Sequence, residues 1–203
     1  MRWFCSAACA VLAMSAALSP GAHARVFRSI EIHGKAAMRD GPDTTPPPGF
    51  VDFCRRKPDA CINRGTAAPT KLTLNGDIAE TLVRVNEMVN RAIRYETSVD
   101  HYGYANAWML DPIDGYGNCE DYSVSKREAL RAAGLPDQAL RIAIVQTPSR
   151  DYHAVLTVDT DKGVLVLDNV RPDIHDWEDT PYTWLKRQAA DDPLRWVSLD
   201  PNP

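Results

Sequence analysis

Hydrophobic residues change their spacing near residue 134, from a helical period to a strand period. Before this point, two segments have apolar residues at every third or fourth position, as on one face of an amphipathic helix. The first follows the capping sequence Asn75-Gly76-Asp77 and predicts a helix of about 17 residues. The second predicts a helix from Cys119 to Ala133, which Gly134-Leu135-Pro136 would end.

The pattern beyond the second helix is typical of β-strands. Apolar and β-branched residues predict five strands, at residues 140–146, 153–159, 164–168, 182–186 and 196–199. Asp161-Lys162-Gly163 separates the second strand from the third and predicts a hairpin turn. Because the helices come first and an antiparallel meander follows, the sequence predicts an α+β fold.

The first 24 residues have the layout of a secretory signal peptide. Arg2 precedes an apolar run that ends at Ser19-Pro20-Gly21, and Ala22-His23-Ala24 offers a small-x-small cleavage site. The alternative is a membrane anchor, for which the apolar run is short. Cleavage near Ala24 predicts a periplasmic or secreted protein of about 179 residues, which is enough for one domain with a hydrophobic core.

The rest of the chain divides into an arm and a domain. Residues 25–45 contain few apolar residues and predict an extended or disordered N-terminal arm, and residues 46–203 are expected to form the single domain. The formal net charge is −4 for the whole chain and about −5 without Arg2. This mildly acidic balance argues against nucleic acid as a partner, and we expect a monomer.

Three cysteines remain after removal of the predicted signal peptide. Cys54 and Cys61 bracket a short polar segment, and a disulfide between them would close a ring of about eight residues. Metal ligation by this pair is the alternative, but no histidine or second cysteine pair lies nearby in the sequence. Cys119 is then the unpaired thiol, which is a liability in an oxidising compartment unless it is buried or used chemically.

Cys119 is a candidate nucleophile. A thiol nucleophile requires a base that takes its proton and a third group that orients the base. The positive end of a helix dipole at Cys119 would lower the pKa of the thiol. His153 lies in a predicted strand, and the hairpin would bring it near Asp168 on the next strand. Each residue also has a structural interpretation: a small buried thiol, a hydrogen-bonded strand histidine and a strand-ending turn.

Two carboxylates follow the thiol directly, at Glu120 and Asp121. A carboxylate close to a thiol raises its pKa, which would make the nucleophile less reactive. One explanation is that the two acidic residues complement the helix dipole. The other is that they bind a hard cation such as Ca²⁺, with further oxygen ligands from Asp111, Asp114 and Asn118.

The order of short motifs resembles the bacterial transglutaminase-like cysteine proteinase family, over about residues 44–199. The matching segments include Pro47-Pro48-Gly49-Phe50, Gly117-Asn118-Cys119-Glu120-Asp121-Tyr122, His153-Ala154-Val155-Leu156-Thr157-Val158 and Leu167-Asp168-Asn169. The resemblance implies a papain-like fold in which a helix N-terminus presents the nucleophile against an antiparallel sheet. It also implies a catalytic triad of Cys119, His153 and Asp168.

The family's better-studied members suggest a function and partners. The resemblance implies a periplasmic endopeptidase for protein substrates such as surface adhesins, with Ca²⁺ beside the active site and an inner-membrane cyclic-di-GMP receptor as regulator. Two positions depart from the family pattern: Asn118 and Asn106 stand where an aspartate is usual. Both differences replace a carboxylate by an amide and weaken the expectation that calcium binds.

Two other functions remain open from the sequence. The same triad chemistry could transfer an acyl group to an amine, as transglutaminases do. A non-catalytic periplasmic binding module that retains the fold is a third possibility, in which the thiol would have no chemical role.

Overall fold

The computed structural model of the chain describes residues 30–31, 37–64 and 71–199. The predicted signal peptide and its cleavage site near Ala24 lie outside the described residues. Within the described ranges, no helix combines the length and apolar character that a membrane crossing requires.

The described residues form four α-helices, α1 (Pro48–Arg56), α2 (Gly76–Ala92), α3 (Ser98–Tyr102) and α4 (Cys119–Ala132). The structure confirms both helices expected from the apolar spacing, α2 and α4. The Asn75 side chain accepts a hydrogen bond from the Ile78 amide, so the predicted cap begins α2. Gly134, just beyond α4, has a φ of 87°, a conformation that glycine adopts without strain.

One sheet contains eight strands in the order β1-β8-β7-β6-β5-β9-β10-β2. The strands are β1 (Ile30–Glu31), β2 (Asp40–Thr44), β5 (Leu140–Gln146), β6 (Tyr152–Thr160), β7 (Gly163–Leu167), β8 (Ile174–Asp176), β9 (Thr183–Gln188) and β10 (Trp196–Leu199). Neighbouring strands are antiparallel except β1 and β8, which are parallel. A separate parallel pair joins β3 (Arg94–Tyr95), which follows α2, to β4 (Tyr116–Gly117), which directly precedes α4 in the chain.

The segment around the paired cysteines is more regular than its polar sequence indicates. Helix α1 begins with Pro48 in its first turn, where proline needs no amide hydrogen, and it buries Phe50 and Phe53. Cys54 in α1 forms a disulfide with Cys61, at the end of a 3₁₀ turn, as the sequence predicts.

Helix α4 lies between the sheet and α2 and is buried on most of its circumference. Its central position buries basic side chains as well as apolar ones. Arg127 donates to the carbonyls of Leu140 and Ala60, and Arg131 donates to the Asp137 carboxylate. These hydrogen bonds replace the ones that the guanidinium groups lose to water when they are buried. A buried charge is tolerated when it is paired and hydrogen-bonded in this way.

The opposite face of the sheet has its own apolar cluster, which includes Val145, Val155, Val166 and Trp184. The central strands β5, β6 and β7 are therefore buried on both faces, which explains their nearly continuous apolar sequences. A strand fixed in this way provides a rigid support for a polar side chain at its end.

Candidate functional site

Cys119 is the first residue of α4, and a reciprocal cap fixes the start of this helix. The Asn118 side chain accepts from the Asp121 amide at 3.1 Å, and the Asp121 carboxylate accepts from the Asn118 amide at 3.0 Å. This is a capping box, which satisfies two amides that the first turn would leave unpaired. Gly117 permits the close approach, since an added Cβ would lie 2.7 Å from an Asp121 oxygen.

The β6–β7 hairpin brings His153 and Asp168 together. Leu156 pairs with Leu167 in the predicted register, so Asp168 follows directly beyond the end of β7. His153 Nε2 lies 2.8 Å from Asp168 Oδ1, and both side chains are buried. With Nε2 donating to the carboxylate, a neutral imidazole has Nδ1 as its proton acceptor.

The thiol of Cys119 lies against the same strand. The backbone amide of Ala154, the residue next to His153 in β6, is among the groups that lower the pKa of the thiol. Helix α4 packs closely on β6 along this contact. The structure therefore places the start of α4 beside the strand that carries His153.

Several donors hold Asp168 in position. Its carboxylate accepts from the Tyr182 hydroxyl at 2.5 Å and from the Val170 amide at 3.0 Å, in addition to His153. Its backbone carbonyl accepts from Asn90 Nδ2 at 2.9 Å. Burial by itself raises the pKa of Asp168, but the three hydrogen bonds to the carboxylate outweigh it and hold the pKa below the ordinary value. Asp168 is therefore the ionised partner of the imidazole.

The sequence does not reveal these supporting residues. Tyr182 comes from the loop before β9, and Asn90 comes from α2 on the other side of the site. No spacing relates either residue to Asp168, because the fold alone brings the segments together.

Glu120 reverses the expected effect of the helix N-terminus on the thiol. Cys119 Sγ donates to Glu120 Oε2 at 3.0 Å. Burial, followed by the charge of Glu120 and this hydrogen bond, raises the pKa of Cys119 well above its ordinary value. The expectation that the helix dipole makes this thiol acidic is therefore wrong for this arrangement, in which Cys119 is protonated.

A cleft of about 450 Å³ opens beside the site. Glu120 and His153 both line it together with Asn106 and Lys186, and its apolar walls include Pro48, Ile144 and Leu185. A cleft that combines apolar walls with a few polar groups suits a bound ligand such as a chain segment.

Asp121, the second candidate calcium ligand, is fully buried and already accepts three hydrogen bonds. Oδ1 accepts from the Met109 amide at 2.6 Å, and Oδ2 accepts from the Tyr102 hydroxyl at 2.7 Å and from the Asn118 amide. Burial raises its pKa to about 6, although the three donors favour the charged form. Asp121 thus connects α3, the following loop and the start of α4.

Asn118 and Asp114, two of the other suggested calcium ligands, are engaged as well. Asn118 donates its Nδ2 to the Ala107 carbonyl at 2.9 Å and to the Ser98 hydroxyl. Asp114 lies 2.8 Å from His101 Nε2. Among the described residues, no three His, Cys, Asp or Glu side chains form a group that could hold a metal ion. In this arrangement, the residues around Glu120 and Asp121 do not fit a calcium site.

The sequence model of the bacterial transglutaminase-like cysteine proteinase (BTLCP) family matches residues 40–203. The chain belongs to this family. It is therefore a cysteine peptidase by family, and its helices and antiparallel sheet have the α+β, papain-like fold that the sequence predicts. No match is found among curated proteins.

Solved structures of LapG from Legionella pneumophila are similar to this BTLCP member. A calcium-bound structure has 24% sequence identity and a TM-score of 0.52, and the match covers 59% of this chain and 68% of LapG. A second LapG structure has 24% identity and a TM-score of 0.51, and the match covers 59% of this chain and 67% of LapG. An EGTA-treated structure has 25% identity and a TM-score of 0.49, with coverages of 54% and 62%. At this level of identity, the two matches with TM-scores above 0.5 support the fold alone.

Replacing Glu120 by glutamine should make Cys119 more reactive. The change removes a negative charge next to the sulfur, so the pKa of the thiol should fall. We expect the rate of alkylation by iodoacetamide at pH 7 to rise about 3- to 10-fold, which corresponds to at most about one pKa unit. Glu80→Gln, an exposed substitution in α2, is the matched control and should leave the rate unchanged. An equal or slower rate in Glu120→Gln would contradict this account of the thiol.

Replacing Tyr182 by phenylalanine should destabilise the fold at neutral pH. The variant loses a hydrogen bond to an ionised, buried carboxylate, a loss of about 1.5–3 kcal/mol in the free energy of unfolding. The pKa of Asp168 is lowered in the folded protein, so this contribution should be present above about pH 4 and disappear in stronger acid. Urea denaturation of Tyr182→Phe measures the loss. Tyr152→Phe, at an exposed tyrosine, should change stability by less than about 0.5 kcal/mol. Equal stabilities of the two variants at pH 7 would refute the prediction.

Proposed function

We propose that this cysteine peptidase is an exported thiol endopeptidase in which Cys119, His153 and Asp168 form the catalytic triad. The 2.8 Å hydrogen bond between His153 and Asp168, on the hairpin that packs against Cys119, is the observation that carries the proposal. Because Asp168 is buried, ionised and held by further donors, it can orient the imidazole and stabilise the imidazolium.

The reaction begins when a peptide in the cleft replaces the contact between Glu120 and the thiol. His153 Nδ1 takes the proton from Cys119, and the thiolate attacks the carbonyl carbon of the scissile peptide bond. The Cys119 amide, which is in the first turn of α4, donates to the resulting oxyanion. The intermediate collapses as the imidazolium gives its proton to the leaving amine.

Water completes the cycle. His153 takes a proton from a water molecule, and the resulting hydroxide attacks the thioester carbonyl. The thioester bond breaks, the sulfur leaves as thiolate and recovers its proton from the imidazolium, and the product carboxylate is released.

The disulfide between Cys54 and Cys61 supports an oxidising location, and we place the protein in the periplasm or outside the cell, after cleavage near Ala24. The substrate class is protein, with surface adhesins as the candidate that the family resemblance suggests. A monomer controlled by an inner-membrane receptor is part of the same proposal and rests on that resemblance alone.

Substitution of the triad residues tests the chemistry. Cys119→Ala and His153→Ala should each reduce peptide cleavage by about 10³-fold or more. His175→Ala, in strand β8 of the same sheet, is the matched histidine control and should retain activity. Exported proteins are compared by mass spectrometry of their N-termini in cells with the wild type and with Cys119→Ala, which identifies substrates and cleavage sites.

The outcomes separate the three functions. New N-termini that require Cys119 support a peptidase. Amine incorporation with ammonia release, and without cleavage, would instead indicate acyl transfer. Two results together would indicate a non-catalytic binding module. The phenotype of Cys119→Ala cells would be unchanged, and a thiol-directed epoxide would not label Cys119 in the wild-type protein.

For calcium, we propose that the wild type does not bind the ion at Glu120 and Asp121 up to about millimolar concentrations, unlike LapG with its calcium-bound structure. The support is that Asp121 accepts three protein donors and that Asn118 contributes an amide at the helix start. Calorimetry on chelator-treated protein should therefore show no saturable binding.

The variant Asn118→Asp provides the positive comparison. It replaces the donating Nδ2 by a carboxylate oxygen that faces the Ala107 carbonyl, so its thermal midpoint should fall without Ca²⁺ and recover when the ion is added. Asn75→Asp changes the N-cap of α2 in the same way and should show no calcium dependence. Saturable binding to the wild type that Glu120→Gln abolishes would disprove the proposal.

A further inference from the structure

Asn106 lies where two cavities meet. The cleft lined by Glu120 and His153 has a volume of about 450 Å³, and an adjoining cavity has a volume of about 410 Å³. Three residues line both of them: Pro48, Ala105 and Asn106. Of these three, only Asn106 has a polar side chain, so it is the side chain that can form a hydrogen bond with a ligand at the junction.

Trp108 fixes the orientation of the Asn106 amide. The buried indole donates from Nε1 to Asn106 Oδ1 at 3.0 Å. Because an indole nitrogen can only donate, the amide oxygen must face Trp108, and Nδ2 occupies the other arm of the amide group. The side chain is half-buried, and among the described residues none accepts a hydrogen bond from Nδ2. Its two N–H groups are therefore available to a ligand.

The loop that contains Asn106 is tied to the start of α4. Asn106 has a φ of 62°, in the left-handed region that asparagine enters more readily than most residues. The amide of Ala107 donates to Ser98 Oγ at 2.9 Å, and its carbonyl accepts from Asn118 Nδ2 at 2.9 Å. Asn118 directly precedes Cys119, so these bonds connect the loop to the helix start that carries the thiol.

A peptide backbone suits a neutral donor at this junction. An extended chain presents a carbonyl with each residue, about every 3.3 Å. The walls of the cleft carry one charge of each sign, at Glu120 and Lys186, so they do not favour a simple anion or cation. A chain that passes through both cavities would bring a carbonyl to Asn106 whatever its side chains are.

We propose that Asn106 is a substrate-binding residue that donates a hydrogen bond from Nδ2 to a backbone carbonyl of the peptide. The bound chain runs from the cleft past Asn106 into the second cavity. The inference rests on the proposed function, which places the reacting bond at Cys119. Because the hydrogen bond is made to the backbone, it contributes affinity and fixes the register of the chain without selecting its sequence.

Peptide reagents that alkylate Cys119 test the inference. Acetyl-tetraglycine chloromethyl ketone extends to the N-terminal side of the reacting carbon, and chloroacetyl-tetraglycine amide extends to the C-terminal side. Four glycines supply backbone carbonyls without side chains, over roughly 13 Å when extended. The single-glycine version of each reagent is the reference, and the rate with iodoacetamide corrects for changes in the reactivity of the thiol itself.

In the wild type, at least one tetraglycine reagent should label Cys119 faster than its single-glycine version. Asn106→Gly and Asn106→Asp should each reduce this ratio of rates about 3- to 10-fold, the range expected for one hydrogen bond between neutral groups. Glycine accepts the positive φ and removes the amide, whereas aspartate keeps an acceptor for Trp108 and replaces the donor by an oxygen. If one variant fails to fold, the other carries the test.

A merely structural role of Asn106 predicts a different pattern. Asn106→Asp retains the bond to Trp108, so it would keep the wild-type ratio, and only Asn106→Gly would lose it. Asn75→Gly and Asn75→Asp make the same two changes at the exposed N-cap of α2 and are the matched controls. Both should leave the ratio unchanged, because Asn75 lines neither cavity.

Two results would each overturn the inference: equal rates for the tetraglycine and single-glycine reagents in the wild type, or a wild-type ratio in folded Asn106→Asp. Failure of the proposed function gives a different result. Alkylation of Cys119 by iodoacetamide would then be as fast in His153→Ala as in the wild type, and the ratio of the peptide reagents would still report binding at Asn106.

Discussion

The buried carboxylate of Asp121 is the constraint on which the geometry of the site depends. It accepts hydrogen bonds from Tyr102, Met109 and Asn118, which belong to three different segments. These bonds fix the start of α4 and the loop that precedes it, so Cys119 has a defined position relative to β6. The two carboxylates after the thiol therefore have different roles: Asp121 supports the structure, whereas Glu120 faces the cleft and contacts the sulfur.

The sheet supplies the other two candidate residues of the site, His153 and Asp168, through the β6–β7 hairpin. The β6–β7 hairpin needs only a turn and two apolar strands to define its register, and its end places Asp168 beside His153. Both determinants are visible in the sequence, so the pair could be predicted without knowledge of the rest of the fold. The same holds for α2 and α4, whose caps and apolar spacing lie within single segments.

Contacts between distant segments could not be predicted in this way. Tyr182 reaches Asp168 from the start of β9, and the buried environment of Lys126 arises only when α2 and the sheet enclose α4. The raised pKa of Cys119 could not be predicted from the sequence for the same reason, because burial and the contact with Glu120 outweigh the helix dipole. The edge strand β2 is equally hard to predict from the sequence, since it pairs with β10, which lies far along the chain.

The hydrogen bond from Cys119 to Glu120 also bears on how the sulfur responds to oxidants. Oxidants react with thiolates far more readily than with thiols, and oxidation beyond the sulfenic acid is generally irreversible. By keeping the buried sulfur protonated, Glu120 lowers its reactivity toward oxidants. The carboxylate that makes the resting thiol a poor nucleophile thereby also makes it a poor target for oxidation.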